Sequence, residues 1–294
     1  MLLVELNYYC SQNNTIKMAL LNKYYYKQIN IDNFDCLDQK KIYNNKIKNI
    51  LDYQHYDNKN INHLYKLKNL VLTGNSTNYA DNIKKLTKIT KLKCYNNAIL
   101  QNINHLHKLK ELHCNSYVKI NQCGINKLTK ITKLKCHYNN KIKNINQMCH
   151  LKKLWCNRGI EQNGIKHLNK LTKLNCDDNE KIKDVNHLPN IKNLSCNAAS
   201  GIDQNGIKYL SKITKLNCDY NKKIKDVNHL HYLKNLSCRP ETGINQNSIK
   251  YLTLITKLDC CDNAEITNVD HLHNLKKLFC YHIDHVNNQI NKYR

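Results

Sequence analysis

Ten cysteines, Cys94, Cys114, Cys136, Cys156, Cys176, Cys196, Cys218, Cys238, Cys260 and Cys280, stand 20, 22, 20, 20, 20, 22, 20, 22 and 20 residues apart. A chain with this spacing stacks one supersecondary unit on the next instead of closing a single core from unlike elements. Leu72 holds the same phase 22 residues before Cys94, which makes eleven registered positions. Residues keep fixed offsets around each of them: Leu86, Ile89, Leu92, Cys94 and Asn97 recur as Leu168, Leu171, Leu174, Cys176 and Asn179. In each L-x-C step, strand alternation sends Leu and Cys inward and the residue between them outward.

Two unit types alternate. One carries Asn three positions after its Cys (Asn97, Asn139, Asn179, Asn221, Asn263), and the 20 residues that follow usually include N-H-L or D-H-L. The other lacks that Asn, contains a G-I-x-Q-N-G-I passage such as 201–207, and spans 22, 20, 22 and 22 residues. The recurring Asn is expected where the chain leaves the strand, its amide bonding backbone groups of the turn and of neighbouring units. For the cysteines, packing as small core hydrophobes fits one thiol per strand. Metal binding needs clustered ligands, which intervals of 20 to 22 do not supply, and a disulfide ladder needs an oxidising compartment. Cys261, adjacent to Cys260, alternates in direction and is expected to be an exposed thiol.

This pattern resembles the leucine-rich repeat, with Cys in place of the second strand leucine, over about residues 60 to 283. The resemblance implies an α/β solenoid, a horseshoe with a parallel β-sheet on its concave face and short helices or turns on its convex face, preceded by a small helical N-terminal segment. Residues 1–45 read as that segment, 46–60 as a linker or first irregular repeat, 61–283 as an array of about eleven units, and 284–294 as a C-terminal tail. Short helices are expected around Leu2–Leu6 and Asn14–Ile29, with Asn14 or Thr15 as a cap. Their spacing resembles an F-box, although the Leu-Pro opening of that family is absent and the segment is shorter. The helix starts after Gln122, Gln162, Gln204 and Gln246 resemble the cysteine-containing repeats that accompany F-boxes. That likeness implies docking of Leu3, Leu6, Ile16, Leu20 and Leu21 on an Skp1-like adaptor, with the horseshoe presenting substrates to a ubiquitin ligase. The alternative is a cap that shields the first repeat.

The chain has 47 Lys and Arg against 22 Asp and Glu, a formal net charge of +25 over 294 residues, but only three are Arg. Lys, Asn, Ile and Tyr are what AT-rich codons supply, so part of this charge reads as compositional background. No stretch approaches the roughly 18 to 20 apolar residues of a membrane span, and the apolar start at Met1–Val4 meets Glu5 too soon for a secretory signal. The expectation is an intracellular, cytoplasmic protein without membrane association. No G-x-x-x-x-G-K, G-x-G-x-x-G or H-E-x-x-H motif occurs. His63, His105, His187, His229 and His271 share one slot, with Gln147 in another copy, and a residue repeated in every second unit reads as structural. No catalytic residue, cofactor or metal is therefore expected.

Binding is the better-supported expectation, because a solenoid exposes a long concave sheet. The position before the strand Leu is Lys91, Lys133, Lys153, Lys173, Lys215, Lys257 and Lys277, with Glu111, Asn193 and Asn235 in the other units. Strands lie about 4.8 Å apart, so Lys133, Lys153 and Lys173 should form a dense positive stripe. The residue between Leu and Cys varies: Lys93, His113, Lys135, Trp155, Asn175, Ser195, Asn217, Ser237, Asp259 and Phe279. Trp155, the single Trp, is the leading contact residue, set beside Lys135, Lys153 and Arg158. A nucleic-acid scaffold on the Lys stripe is the alternative to a protein partner. Asp177, Asp178, Asp219, Asp259 and Asp262 interrupt such a track and favour protein.

Overall fold

The computed structural model describes residues 49–50, 67–73, 83–281, 283 and 291–293. The expected adaptor-docking residues Leu3, Leu6, Ile16, Leu20 and Leu21, with the whole of the segment 1–45 read from sequence as helical, lie outside the described residues.

The period of the apolar residues becomes the period of the strands. The first five are β1 (Asn49–Ile50), β2 (Asn69–Thr73), β3 (Lys91–Tyr95), β4 (Glu111–Cys114) and β5 (Lys133–Lys135). Next come β6 (Lys153–Trp155), β7 (Lys173–Asn175), β8 (Asn193–Ser195) and β9 (Lys215–Asn217). The last are β10 (Asn235–Ser237), β11 (Lys257–Asp259), β12 (Lys277–Phe279) and β13 (Asn291–Tyr293). All pair in parallel in one sheet whose order is the sequence order. The register is set by the repeat: Leu92 faces Leu112, which faces Leu134, which faces Leu154. The sheet takes in Asn49–Ile50, inside the segment read as a linker, and Asn291–Tyr293, inside the segment read as a tail.

Burial follows the alternation. In β3 the Leu92 and Cys94 side chains are buried and the residues beside them half-exposed. The upstream L-x-x-I residues turn back over the sheet, so Leu86, Ile89, Leu92 and Cys94 from one unit join Leu106, Leu109, Leu112 and Cys114 from the next in a continuous core. Each such side chain contributes about 2 kcal/mol on burial, and no unit could bury its set alone. All ten column cysteines are buried free thiols, as the spacing predicts. Cys261 departs from expectation: it is only 8% exposed, because the β11 strand ends at Asp259 and the turn that follows carries Cys261 back against the array.

Short helical turns mark one unit type. Gln122–Ile125 is a single α-helical turn, and Gln162–Ile165, Asn205–Ile207 and Gln246–Ile249 are 3-10 turns. Glycine recurs inside them because the preceding unit's backbone is too close for a side chain: a Cβ on Gly206 would lie 2.1 Å from the Lys183 carbonyl oxygen. Ser248 occupies the same phase one pair of units later and turns that approach into a hydrogen bond, its hydroxyl donating to the Lys225 carbonyl at 2.6 Å.

The Asn of the other unit type sits where expected. Asn179 is 1% exposed; its Nδ2 donates to the carbonyls of Cys156 at 2.8 Å and Ile160 at 3.1 Å, and its Oδ1 accepts from the amides of Lys181 and Ile182. Asn139, Asn221 and Asn263 repeat the two carbonyl contacts. The histidine slot is structural as well. His105, His187, His229 and His271 reach back with Nε2 to the carbonyl of Ile83, Ile165, Ile207 and Ile249, and Gln147 does the same to Ile125.

Candidate concave-face binding site

Strand alternation turns two rows of side chains out of the core onto the concave sheet, the one before each strand Leu and the one between Leu and Cys. In the first row Lys133, Lys153 and Lys173 are consecutive in-register partners, as are Lys257 and Lys277. The row is not uniformly positive. Glu111 faces both Lys91 and Lys133 across β4 and pairs with each, at 3.4 Å and 2.8 Å. It also accepts from His113 Nε2 at 2.8 Å. Partial burial pushes the Glu111 carboxyl up, but the Lys133 hydrogen bond and the charge of Lys91 outweigh it and hold the group at about 2. His113 was expected outward on the reading surface and is instead 5% exposed, with its imidazole hydrogen-bonded to Glu111. Burial lowers its imidazole to about 4 despite that carboxylate.

The second row brings Lys135 and Asn175 to either side of Trp155. Three ammonium groups lie over the indole: Lys135 at 4.9 Å, Lys173 at 5.1 Å and Lys133 at 5.8 Å from its ring. Cations are drawn to the negative face of an aromatic ring, by about 0.5–1 kcal/mol each at exposed sites. Partial burial and then the charge of Lys133 lower the Lys135 pKa, against the opposing pull of Glu111. Glu111 pairs with Lys133, whereas Lys135 and Lys173 take part in none of the ion pairs among the described residues. Arg158, expected at Trp155, stacks on Tyr138 at 5.4 Å. Lys153 is exposed beside the cluster. Lys93 flanks His113 one strand away. At the far end Lys257 covers Phe279 at 4.7 Å.

The C-terminal half of the same face spends its polar groups on itself. Asp177 accepts from the Asn175 amide at 2.6 Å and from the Ser195 hydroxyl at 2.7 Å. Asp219 accepts from Ser237 at 2.9 Å and from the Arg239 backbone at 2.8 Å, and Asp259 takes the Arg239 guanidinium in a two-point fork. A groove of about 340 Å³ runs over this half, lined by Asn193, Ser195, Lys215, Asn217, Ser237 and Asp259 among others. Asp178 and Asp262, expected to join the stripe, occupy left-handed turn positions instead, at φ 55° and 58°.

Sequence reading missed a division of charge that the sequence does carry. Residues 83–160 hold 17 Lys and Arg and one acidic residue, Glu111, whereas residues 161–283 hold 18 basic and 13 acidic residues. A codon bias would act on both halves alike. Counting charge along the array rather than over the chain reveals the two lobes.

No helix among the described residues is long and apolar enough to cross a membrane. No protein-family model matches the sequence, and no characterised protein matches it by sequence. Solved structures do match in three dimensions. The internalin InlF of Listeria monocytogenes is 20% identical, the match covering 78% of this chain and 76% of that one, with a TM-score of 0.56. The functional domain of InlJ from the same organism, described as including a cysteine ladder, is 21% identical over 85% of this chain and 62% of that one, at 0.51. Drosophila Toll, in its complex with Spatzle, is 13% identical over 83% and 40%, at 0.56. Repeat, register and these likenesses together show the leucine-rich-repeat solenoid fold.

Proposed function

We propose that the chain is a noncatalytic protein-binding module that takes an acidic segment of a partner protein against Trp155 and the lysines around it. The observation that carries the reading is the convergence of Lys133, Lys135 and Lys173 on the one Trp of the chain, on an open sheet face. Trp anchors dominate interface energetics when a partner desolvates them, and carboxylates would supply the charge the cluster lacks. Toll, a structural neighbour, is seen with a protein ligand, which agrees with this class of role. Affinity capture with the intact chain tests it: Trp155→Ala and Lys135→Glu should each abolish retention of a partner, and Lys212→Glu should keep it. Equal retention by all three variants would refute the concave site.

The finer reading, an F-box-like adaptor of a ubiquitin ligase, rests on the N-terminal resemblance. It predicts that the intact chain retains an Skp1-like protein and that Leu20→Asp releases it. Absence of binding by the intact chain removes that reading and leaves the concave site standing. A nucleic-acid track along the concave lysine row is disfavoured by Glu111, which occupies Lys91 and Lys133.

A further inference from the structure

Part of the excess positive charge of the N-terminal lobe lies beside the concave face, on the rim where the chain enters the strands. Two columns run along it. The outer one places Lys88, Lys108 and Lys130 in three consecutive units, all exposed. The inner one alternates Thr90, Lys110, Thr132 and Lys152, locked in step because each backbone amide donates to the carbonyl of the unit before: Lys110 to Thr90 at 2.8 Å, Thr132 to Lys110 at 2.8 Å, Lys152 to Thr132 at 2.9 Å. Among the described residues none of these five lysines pairs with a carboxylate; the six Lys and Arg ion pairs use Lys91, Lys133, Lys143, Lys181, Lys222 and Arg239. The charge of Lys88, and further off that of Lys130, pushes the Lys108 pKa down. Farther along, the outer column keeps Lys170 and Lys212 before ending in Tyr232, Leu254 and Asn274, and the inner one keeps Lys192, Lys234 and Lys276. What distinguishes the first lobe is three consecutive outer lysines in a stretch whose one acidic residue is Glu111.

Like charges held in register repel one another, and a ligand of opposite charge relieves that cost. The chemistry of the ligand follows from what the rim lacks. Protein interfaces have an apolar or aromatic centre; the exposed large apolar side chains between residues 83 and 160 are Tyr117 and Tyr138, and both follow their strands instead of preceding them. Nucleic-acid interfaces are polar and strongly positive, and most of their contacts are to phosphate. We propose that the rim from Lys88 to Lys152 holds the phosphate backbone of a nucleic-acid strand, on a surface separate from the Trp155 site.

Fluorescence anisotropy of a labelled 20-nucleotide mixed-sequence DNA strand, titrated with the intact chain between 50 and 200 mM KCl, tests this. Five lysine contacts predict a log K against log salt slope of about −3.5. The triple substitution Lys88→Gln, Lys108→Gln, Lys130→Gln should weaken binding by ~10-fold at 50 mM and flatten the slope by about 2. The matched triple Lys212→Gln, Lys234→Gln, Lys276→Gln changes net charge equally and should stay within about twofold, as should Trp155→Ala. If the rim triple melts early, Lys108→Gln alone supplies the readout, with a slope change of about 0.7. The proposal is overturned by absence of saturable binding at 50 mM, by equal loss in the matched triple, by loss in Trp155→Ala, or by tighter binding of phosphatidylserine vesicles. Loss in Trp155→Ala alone would point back to the concave site, so the two readings fail separately.

Discussion

A buried amide that bonds four backbone groups of two units ties each unit to the one before it. Removing it leaves two carbonyls and two amides unpaired in the core, so Asn179→Ala should cost about 2–4 kcal/mol, measured as a lower urea midpoint. A loss under ~0.5 kcal/mol would mean that water replaces the amide at no cost. Exposed asparagines and glutamines also have structural work. Gln162 Oε1 accepts from the amides of Lys183 and Asp184, one unit on, while its Nε2 donates to the Asp184 carbonyl. Asn146 similarly joins the Asn163 carbonyl to the His167 amide. The Asn content that composition alone assigns to codon bias is thus partly a ladder of side-chain clamps along the convex face. Left-handed turn positions were invisible in the sequence for a related reason: Asn96, Tyr138, Asp178, Tyr220 and Asp262 share one phase at φ 50° to 59°, and none is the glycine that would signal it. Tyr220 is half-exposed, so Tyr220→Gly should match or raise stability, and Tyr220→Val should lower it by about 1–2 kcal/mol, in the same urea titration.

Strands and columns were the legible part, because an element repeated at fixed spacing writes its register into the sequence. The inward Leu and Cys, the structural histidine slot and the strand-exit Asn all follow from phase alone. Side chains whose fate depends on one particular neighbour did not: His113 bonds Glu111, Arg158 stacks on Tyr138, and Cys261 follows the strand in a turn. The cysteine column makes a chemical prediction. Burial pushes the thiols up, to about 12 at Cys136, Cys218 and Cys260, and thiolate is the reactive form. Among the described thiols, native-state alkylation at pH 8 read by mass spectrometry should modify Cys123 and Cys149, both exposed, and spare the column until denaturant is added. Rapid labelling of Cys176 or Cys196 would contradict the packing. The β4 strand carries the acid sensitivity. Glu111 has a folded value below its unfolded one, so its contribution is present above about pH 4.5 and is lost as pH falls toward 2. His113 is held neutral down to about pH 4, so between pH 6.5 and 4 the unfolded chain binds a proton that the folded chain refuses, and stability falls with pH. Thermal melts of His113→Gln against the unsubstituted chain should differ in slope over that window and run parallel above pH 7.

At the scale of the molecule, one scaffold presents surfaces of different chemistry. The N-terminal lobe concentrates positive charge on rim and sheet, the C-terminal half of the sheet neutralises its own polar groups, and a single parallel sheet runs through both lobes. Solenoid stability is a sum of units and nearest-neighbour interfaces, which lets the outward residues differ freely between lobes without disturbing the core. The single Trp makes the central claim directly measurable, since all indole emission comes from the proposed contact. Titration with a glutamate-rich peptide at low salt should give a saturable change in Trp155 emission that Lys133→Gln, Lys135→Gln, Lys173→Gln together remove. Binding of the labelled peptide with unchanged Trp155 emission, and with unchanged affinity in Trp155→Phe, would contradict the account.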